Sequence, residues 1–539
     1  MKTLKKLFTI LTIILVAVMA FAPAKSFADD TAQLTITVTG DVAGRNLSVY
    51  KIFKLTKNAD GTYTYDWADD AVKTYFTTKK YDTVLKATDY LKTLGEKKDI
   101  AGLNAFAQDF YSNAEATPVA TTPNGSISED ATEATYNVTG EGYYLVYDLT
   151  EADDLTEEDG QERPRSAAML ANIEVTEDSE IVLKAEKTDV TKTADKQTAG
   201  VGEDVKFTVS SKVPNVAPYK TFTFTVVDKL SKGLTLDEKS ILVEIGGDKY
   251  LATVEDEKGN TITQYTVESS TDETTGETTL TITFTPEEFA KLTDKIGKDI
   301  TITYNAKVNE EAAVAIENSN EVKIVYSNDP TTDGTGTTED KKVYVYTFAI
   351  DFTKKNVKGE VLPGAEFILK AIIVDEDGNE VTKYVKLDEN YIFDSYVDNK
   401  DDATLLTSDD YGLFKVSGLN AGKYELEEIT APEGYDKPTF SFTFEINPTY
   451  DQNGKLLSVT FDYTADYDEE NEEYIEVRKG YVDDETLTTV GKFTIDVLNA
   501  KDGMLPTTGG MGTTIFTIVG IVVMAVAVVA LVAHNRKND

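Results

Sequence analysis

No cysteine occurs anywhere in the 539 residues of this chain, yet both of its ends read as export signals. At the start, Lys2, Lys5 and Lys6 precede an apolar run from Leu7 to Ala22, and the small residues Ser26 and Ala28 are spaced for leader cleavage. Residues 1–28 therefore read as a secretory signal peptide. At the other end, Ile515 to Ala533 carries no charge and approaches the ~20 residues that cross a hydrocarbon core. His534, Arg536 and Lys537 follow at once, and basic residues beside a final span hold that end in the cytoplasm. Everything between is expected outside the membrane, without the disulfides that extracellular domains often use. Such a chain must be held together by packing or by some other covalent link.

The only histidine is His534, in that basic tail. The exported part then has no Cys–His or Ser–His couple for nucleophilic catalysis and no usual zinc site. A carboxylate-only glycosidase needs neither residue and stays open as a third class of reading. The chain reads as a non-enzyme, with no cofactor and no metal. Its charge is strongly acidic, 53 Lys plus Arg against 94 Asp plus Glu, a formal −41. That balance argues against nucleic acid or anionic lipid as a partner and favours a soluble, self-repelling surface.

The period of the apolar residues sets the fold class. Residues 29–183 mix two periods. Leu34, Ile36 and Val38 alternate as in a half-buried strand, and Leu47, Val49 and Phe53 suggest another. Leu103, Phe106 and Phe110 recur at helical spacing between Ala71 and Ala114, and strands return near Tyr143–Tyr147 and Ile173–Val175. The acidic stretch Glu151–Glu162 reads as a solvated loop. Residues 184–328 are almost all strand: Phe207 and Val209 alternate, as do Phe222, Phe224 and Val226, then Ile282 and Phe284, then Val322 and Ile324. A linker rich in Thr, Gly and Asp, 329–340, leads to a further strand-rich region, 341–500, with Phe348, Ile350 and Phe352, then Tyr424 and Leu426, then Phe440 to Ile446. There Asp375 to Asn379 reads as a hairpin turn, because the glycine and distal glutamate of a calcium loop are not at the required offsets. Residues 501–539 form the terminal signal. The expected class is mainly β, with an α+β N-terminal domain followed by tandem β-sandwich domains.

Polar residues interrupt the inward faces of these strands in an ordered way. Side chains two apart on a strand share a face. Counting by two, Phe348, Ile350 and Phe352 lead to Lys354, Tyr424 and Leu426 lead to Glu428, and Phe493, Ile495 and Val497 lead to Asn499. In the preceding region Val190 leads to Lys192, Phe222 to Val226 lead to Asp228, and Val322 and Ile324 run back to Asn320. Asn318 shares that parity and competes with Asn320. A lone case would be a strand-end residue snorkelling to water. Two trios, each ordered lysine, carboxyl, asparagine, make a common chemistry the better reading. Burial lowers a lysine pKa and raises that of an acid. A neutral amine is a nucleophile, and a protonated carboxyl can polarise the asparagine carbonyl and shuttle protons. Held close in a water-poor core, the pair needs no diffusing partner. The product would be a Lys–Asn isopeptide bond, with ammonia released.

These residues carry a resemblance. Leu505-Pro506-Thr507-Thr508-Gly509, the apolar span and the basic tail resemble the cell-wall sorting signal of Gram-positive surface proteins. The resemblance implies that a sortase cuts between Thr508 and Gly509 and joins the Thr508 carbonyl to an amine. Tyr424-Glu425-Leu426-Glu427-Glu428-Ile429-Thr430-Ala431-Pro432-Glu433-Gly434-Tyr435 resembles the E-box of Cna B-type domains, and Leu362 to Phe367 the segment that follows their reactive lysine. Gly202 to Val205, Val227-Asp228 and Asn320-Glu321-Val322 resemble the isopeptide-forming middle domain of Gram-positive backbone pilins. The resemblance implies tandem Ig-like and Cna B-type sandwiches, with Lys354, Glu428 and Asn499 as one triad and Lys192, Asp228 and Asn320 as the other. It also implies an acceptor lysine at the junction of the first two domains. Ile181-Val182-Leu183-Lys184-Ala185-Glu186-Lys187 stands there without the family's Tyr-Pro, which leaves Lys184 first and Lys187 second. The implied partners are pilin-specific and housekeeping sortases, identical subunits in a covalent polymer, ancillary pilins and peptidoglycan, on the surface of a Gram-positive cell after a transient membrane-anchored stage. No host ligand is named by the sequence. A wall-anchored adhesin that does not polymerise is the alternative. In the first region Lys51, between Val49 and Phe53, shares their parity, and Glu141 or Asn172 could serve it in a third bond.

Overall fold

The computed structural model describes residues 33–57, 62–123, 131–150, 163–173, 179–183, 185, 187–312, 317–356, 359–375, 377–435, 437, 442–465, 479–483 and 493–499. The leader, the stretch Glu151–Glu162, Val175, Lys184, Phe440, Leu505–Gly509 and the terminal apolar run lie outside them. Among the described residues no helix is long and apolar enough to cross a membrane.

The first domain combines helices and two sheets. Its helices, Asp70–Thr78, Val84–Glu96 and Ile100–Asn113, each open on a side-chain cap: Asp69 accepts from the Val72 N–H, Thr83 from Lys86 and Asp99 from Gly102. A cap satisfies an N–H that the first turn leaves unpaired. The helices cover one face of a four-stranded sheet ordered Tyr63–Trp67, Leu47–Lys57, Gly142–Asp148 and Met169–Ile173. Phe53, Phe76, Phe106 and Phe110 fill that layer. Through Val49, Tyr144 and Val146 the other face packs on a three-stranded sheet. There Leu34, Ile36 and Val38 point inward in alternation. The strand Gly142–Asp148 is buried along its whole length, as a strand between two layers must be, so it reads as a continuous apolar run rather than an alternating one.

The middle domain is a β-sandwich. One sheet orders Asp248–Lys249, Leu234–Ile245, Asp299–Val308, Asp204–Lys212 and Thr191–Ala194. The other orders Tyr265–Thr271, Thr278–Phe284, Phe224–Leu230, Asn318–Ser327 and Thr335–Thr337, with Lys341–Val345 also on Asn318–Ser327. Two of these strands fall differently from the sequence reading. Thr335–Thr337, inside the stretch expected as a linker, pairs with Val325–Ser327. Lys341–Val345, counted with the third region, pairs with Asn318–Val322 and adds Val345 to the middle core. A period of two marks a strand but does not say which sheet it joins. The start of the stretch expected as a linker docks on the first domain, where Asn104 donates to the Pro330 carbonyl and Gln108 to that of Thr331.

The third domain sets a three-stranded sheet, ordered Leu413–Leu419, Phe348–Asn356 and Phe493–Asn499, against a larger one containing Glu366–Val374 and Gly422–Thr430. Phe414 stacks between Phe352 and Phe367, with ring centroids 4.8 and 4.6 Å away. At Asp375 the carboxylate accepts from the N–H groups of Asp377 and Asn379, closing the hairpin turn between Glu366–Val374 and Glu380–Leu387. The middle and third domains meet along Thr198–Glu203. Thr198 bridges to Tyr346, the Val201 N–H donates to the Gly418 carbonyl at 2.9 Å, and Asn420 donates to Glu203 at 3.1 Å. Gly418 has φ +75°, and a Cβ there would lie 2.7 Å from Val201 Cγ2. Gly418→Ala should therefore destabilise the third domain by at least about 1–2 kcal/mol, the left-handed cost for an L-residue, read as a lower denaturation midpoint. An unchanged midpoint would contradict this account of the junction.

Candidate functional site

Two buried amine–carboxyl–amide clusters stand out, one in each sandwich. In the third domain, Lys354 lies near the end of the first strand, Phe348–Asn356, which runs parallel to the last strand, Phe493–Asn499. Lys354 is opposite Val497, so Asn499, two residues further on, stands diagonally across on the same face. Glu428 comes from the opposing sheet, opposite Phe367. Lys354 is fully buried, and Glu428 and Asn499 are nearly so. The Lys354 Nζ lies 2.5 Å from Asn499 Oδ1 and 3.0 Å from Glu428 Oε2, and Asn499 Nδ2 donates to Glu428 Oε1 at 2.8 Å. The Phe367 ring covers the amine at 5.4 Å.

Electrostatics follow from burial. Loss of water pushes the Lys354 ammonium down to about 8, against the opposing pull of Glu428. Burial likewise raises the Glu428 carboxyl, with Lys354 and Asn499 pulling the other way. Desolvation outweighs the mutual attraction, as happens when two charges leave water together. Both shifts bring the neutral forms, free amine and protonated acid, closer to the neutral range than they are in water. The carboxyl faces the asparagine nitrogen, a place suited to delivering a proton to a leaving group rather than to polarising the carbonyl.

The middle-domain cluster crosses the sandwich. Lys192 sits on the edge strand Thr191–Ala194 of one sheet; Asp228 and Asn320 sit on adjacent strands of the other. All three are buried. Lys192 Nζ lies 2.5 Å from Asp228 Oδ2. Burial lowers the lysine and raises the aspartic acid, each against the pull of its partner. Asn320 does not touch Lys192 directly. A fourth residue stands between: the Tyr304 hydroxyl accepts from Lys192 Nζ at 2.9 Å and from Asn320 Nδ2 at 2.7 Å, and donates to Asp228 at 2.8 Å. Sequence reasoning missed Tyr304. Its signal was available, since Ile300, Ile302, Tyr304 and Ala306 alternate inward and a buried tyrosine hydroxyl needs partners. Asn318, the competitor, turns away: its Nδ2 donates to the Val345 carbonyl at 3.0 Å, and its Oδ1 fills the space beside Gly233.

The first-domain candidates are arranged differently. A β-bulge between Lys51 and Phe53 adds one residue and breaks their expected shared parity. Phe53 faces the helices, whereas Lys51 stays with Val49 on the sheet–sheet side, over the Tyr144 ring at 5.4 Å. Its Nζ donates to the Thr139 carbonyl at 3.0 Å. Glu141 is buried just before Gly142. Asn172 pairs with Tyr143 in the register, and its side chain lies outside the described part, as does Lys184. Lys187 is exposed.

The Lys354 shift predicts a pH effect. Asn499→Ala removes the amide and keeps the amine. Between pH 8 and the usual lysine value, the unfolded chain holds a proton that folded Lys354 has lost, so stability gains with rising pH. Relative to Asn499→Ala/Lys354→Met, Asn499→Ala should gain about 1–2 kcal/mol between about pH 8 and 9.5, measured by urea denaturation. A difference independent of pH would contradict the shift.

Comparison with known proteins gives these clusters a setting. Residues 201–330 match the Gram-positive pilin backbone subunit 2, Cna-B-like domain family, 348–464 the prealbumin-like fold domain family, and 499–539 the LPXTG cell wall anchor motif. The trypsin-resistant surface T6 protein of Streptococcus pyogenes serotype M6 is 26% identical over 395 residues, 64% of this chain and 66% of that relative. Among solved structures, the T6 backbone pilin of serotype M6 Streptococcus pyogenes aligns at 16% identity and a TM-score of 0.48, covering 89% of this chain and 100% of that one. The full-length major pilin SpaD of Corynebacterium diphtheriae aligns at 17% identity and a TM-score of 0.43, with the same coverage of 89% and 100%. The chain thus carries a Gram-positive pilin backbone domain, a prealbumin-like fold domain and an LPXTG wall anchor, which mark a wall-anchored pilus protein of a Gram-positive cell surface.

Proposed function

We propose that this chain is the shaft subunit of a covalent pilus, joined through Thr508 to a lysine of the next copy and stapled internally by two Lys–Asn isopeptide bonds. The observation that carries the staples is the Lys354 amine, buried and 2.5 Å from the Asn499 amide. In each bond the neutral lysine Nζ attacks the asparagine Cγ and forms a C–N bond. The Cγ–Nδ2 bond breaks, and the nitrogen leaves as ammonia with a proton supplied by the carboxyl. The proton shed by the lysine nitrogen returns to the carboxylate, which ends as it began. Near-attack placement and a dry core supply the rate, and no cofactor takes part. The sortase supplies the intermolecular step, and the chain is its substrate rather than an enzyme.

The positions of the staples suit a load-bearing role. Lys192 and Asn320 lie on the first strand of the middle sandwich and on a late one, and Lys354 and Asn499 lie on the first and last described strands of the third domain. With Lys184 or Lys187 as the acceptor, tension would enter just before Lys192 and leave at Thr508, bypassing the strands between each pair. The exception is the segment between Asn320 and Lys354. It carries load through the short ladder from Asn318↔Val345 to Val322↔Lys341. Peeling that ladder would release roughly 20 residues, about 70 Å of chain.

Two measurements test the proposal. Peptide mapping of polymer made with a pilin sortase should recover Thr508 linked to Lys184 or Lys187. Recovery only of Thr508 on peptidoglycan would support an anchored adhesin instead. Single-molecule stretching of the shaft should show no more than one short extension per subunit, of about 70 Å, and repeated extensions of whole-domain length would overturn the staples.

A further inference from the structure

Glu428 and Asp228 hold matching places in the two clusters but differ in reach by one methylene. Glu428 touches both reacting groups, accepting from Lys354 Nζ at 3.0 Å and from Asn499 Nδ2 at 2.8 Å. Asp228 touches Lys192 at 2.5 Å, and among the described contacts its link to Asn320 runs only through the Tyr304 hydroxyl. That hydroxyl donates to Asp228 Oδ2 and accepts from both Lys192 Nζ and Asn320 Nδ2. A phenol has one donor and two acceptor sites, so its valence is filled by the three groups the reaction needs. Among the described residues Asn320 Oδ1 is buried without a hydrogen-bond partner, so the amide is held through its nitrogen, on Tyr304. The ring packs against Phe207 with centroids 5.6 Å apart, which fixes where the hydroxyl stands.

Resting on the bond-forming reading above, we propose that Tyr304 is a catalytic residue of the middle domain, relaying a proton from Asp228 to the departing Asn320 nitrogen. Aspartate plus tyrosine thereby does what glutamate does alone in the third domain. With Asp228 protonated, as the step requires, the Asp228–Tyr304 bond runs the other way, the carboxyl donating and the hydroxyl turned towards Nδ2. As the Lys192 Nζ–Cγ bond forms and the Cγ–Nδ2 bond breaks, Tyr304 Oη then gives its proton to the Nδ2 lone pair and takes one from the Asp228 carboxyl. The proton lost by the lysine nitrogen restores Asp228. The products are the cross-link and one ammonia, and both relay groups are regenerated. Burial and the neighbouring Asp228 carboxyl hold the Tyr304 hydroxyl well above the usual tyrosine range, so it remains a donor throughout the neutral range.

The test follows bond formation by intact mass and linked peptides in the chain from Asp29 to Thr508, comparing wild type, Tyr304→Phe and Tyr304→Phe/Asp228→Glu. The wild type should lose two ammonia masses. Tyr304→Phe should lose the third-domain ammonia at once and the second about 10²-fold more slowly, as expected for loss of a general acid, with a denaturation midpoint for the middle domain showing that it is folded. The double variant should recover most of the rate, because the longer carboxyl reaches the amide directly. A Tyr304→Phe chain as fast as wild type, or a double variant no faster than the single, overturns the relay. As a readout independent of substitution, wild-type bond formation should show a curved proton inventory in mixed light and heavy water, and a linear one overturns the relay. A wild type without the Lys192–Asn320 link would remove the bond-forming reading as well, which separates the two failures.

Discussion

An amine and a carboxyl taken out of water together are the constraint on which this molecule turns. At Lys354 and Glu428, and again at Lys192 and Asp228, the cost of desolvation exceeds the attraction between the partners, so the lysine is lowered and the acid raised although they are in contact. As ordinary ion pairs these would be poor choices for a core, where well-packed apolar residues do as well or better. Their placement makes sense if the neutral forms have work to do. An asparagine amide is in reach of each amine or one hydroxyl away. The same desolvation that makes the pair costly as an ion pair is what would make it reactive as a nucleophile and acid in the proposed cross-linking.

The architecture around the clusters serves that proximity. Parallel pairing of the first and last strands of the third domain brings Lys354 and Asn499 diagonally together, far apart in sequence but adjacent in the sheet. In the middle domain the edge strand carrying Lys192 faces the opposite sheet, so a link to Asn320 would tie the sandwich across its core. Aromatic rings wall in both amines, Phe367 over Lys354, and Phe207 with Tyr304 over Lys192. A chain without cysteine thus sets a lysine, an acid and an asparagine together in each sandwich, with the Tyr304 hydroxyl added in the middle domain. The first domain has a different economy, with three capped helices over a doubly covered sheet, and its buried ion pair, Arg45 with Asp148, is wrapped by Thr150 and Ser166 rather than set against an amide.

Much of this was legible in the sequence because a strand has a period of two. Counting by two from Phe348, Tyr424 and Phe493 led to Lys354, Glu428 and Asn499, and the structure brings all three into contact. The mainly β class and the helical part of the first domain were legible from the same periods. Where parity failed, the reasons are physical. A single bulge separated Lys51 from Phe53. Parity could not rank Asn318 against Asn320, since both face inward; the hydrogen bond to Val345 draws Asn318 aside. Nor could it show that Lys341–Val345 joins the middle sheet. Tyr304 was missed because aromatic residues on inward faces are mostly packing, and only the position of the hydroxyl oxygen distinguishes this one.

The central claim is that the two clusters react, and the intact mass of the chain from Asp29 to Thr508 tests it most directly. The account predicts a mass short by two ammonia molecules, with Lys192–Asn320 and Lys354–Asn499 recovered as linked peptides. A mass equal to that of the unlinked sequence, with all four residues recovered in linear peptides, would contradict it.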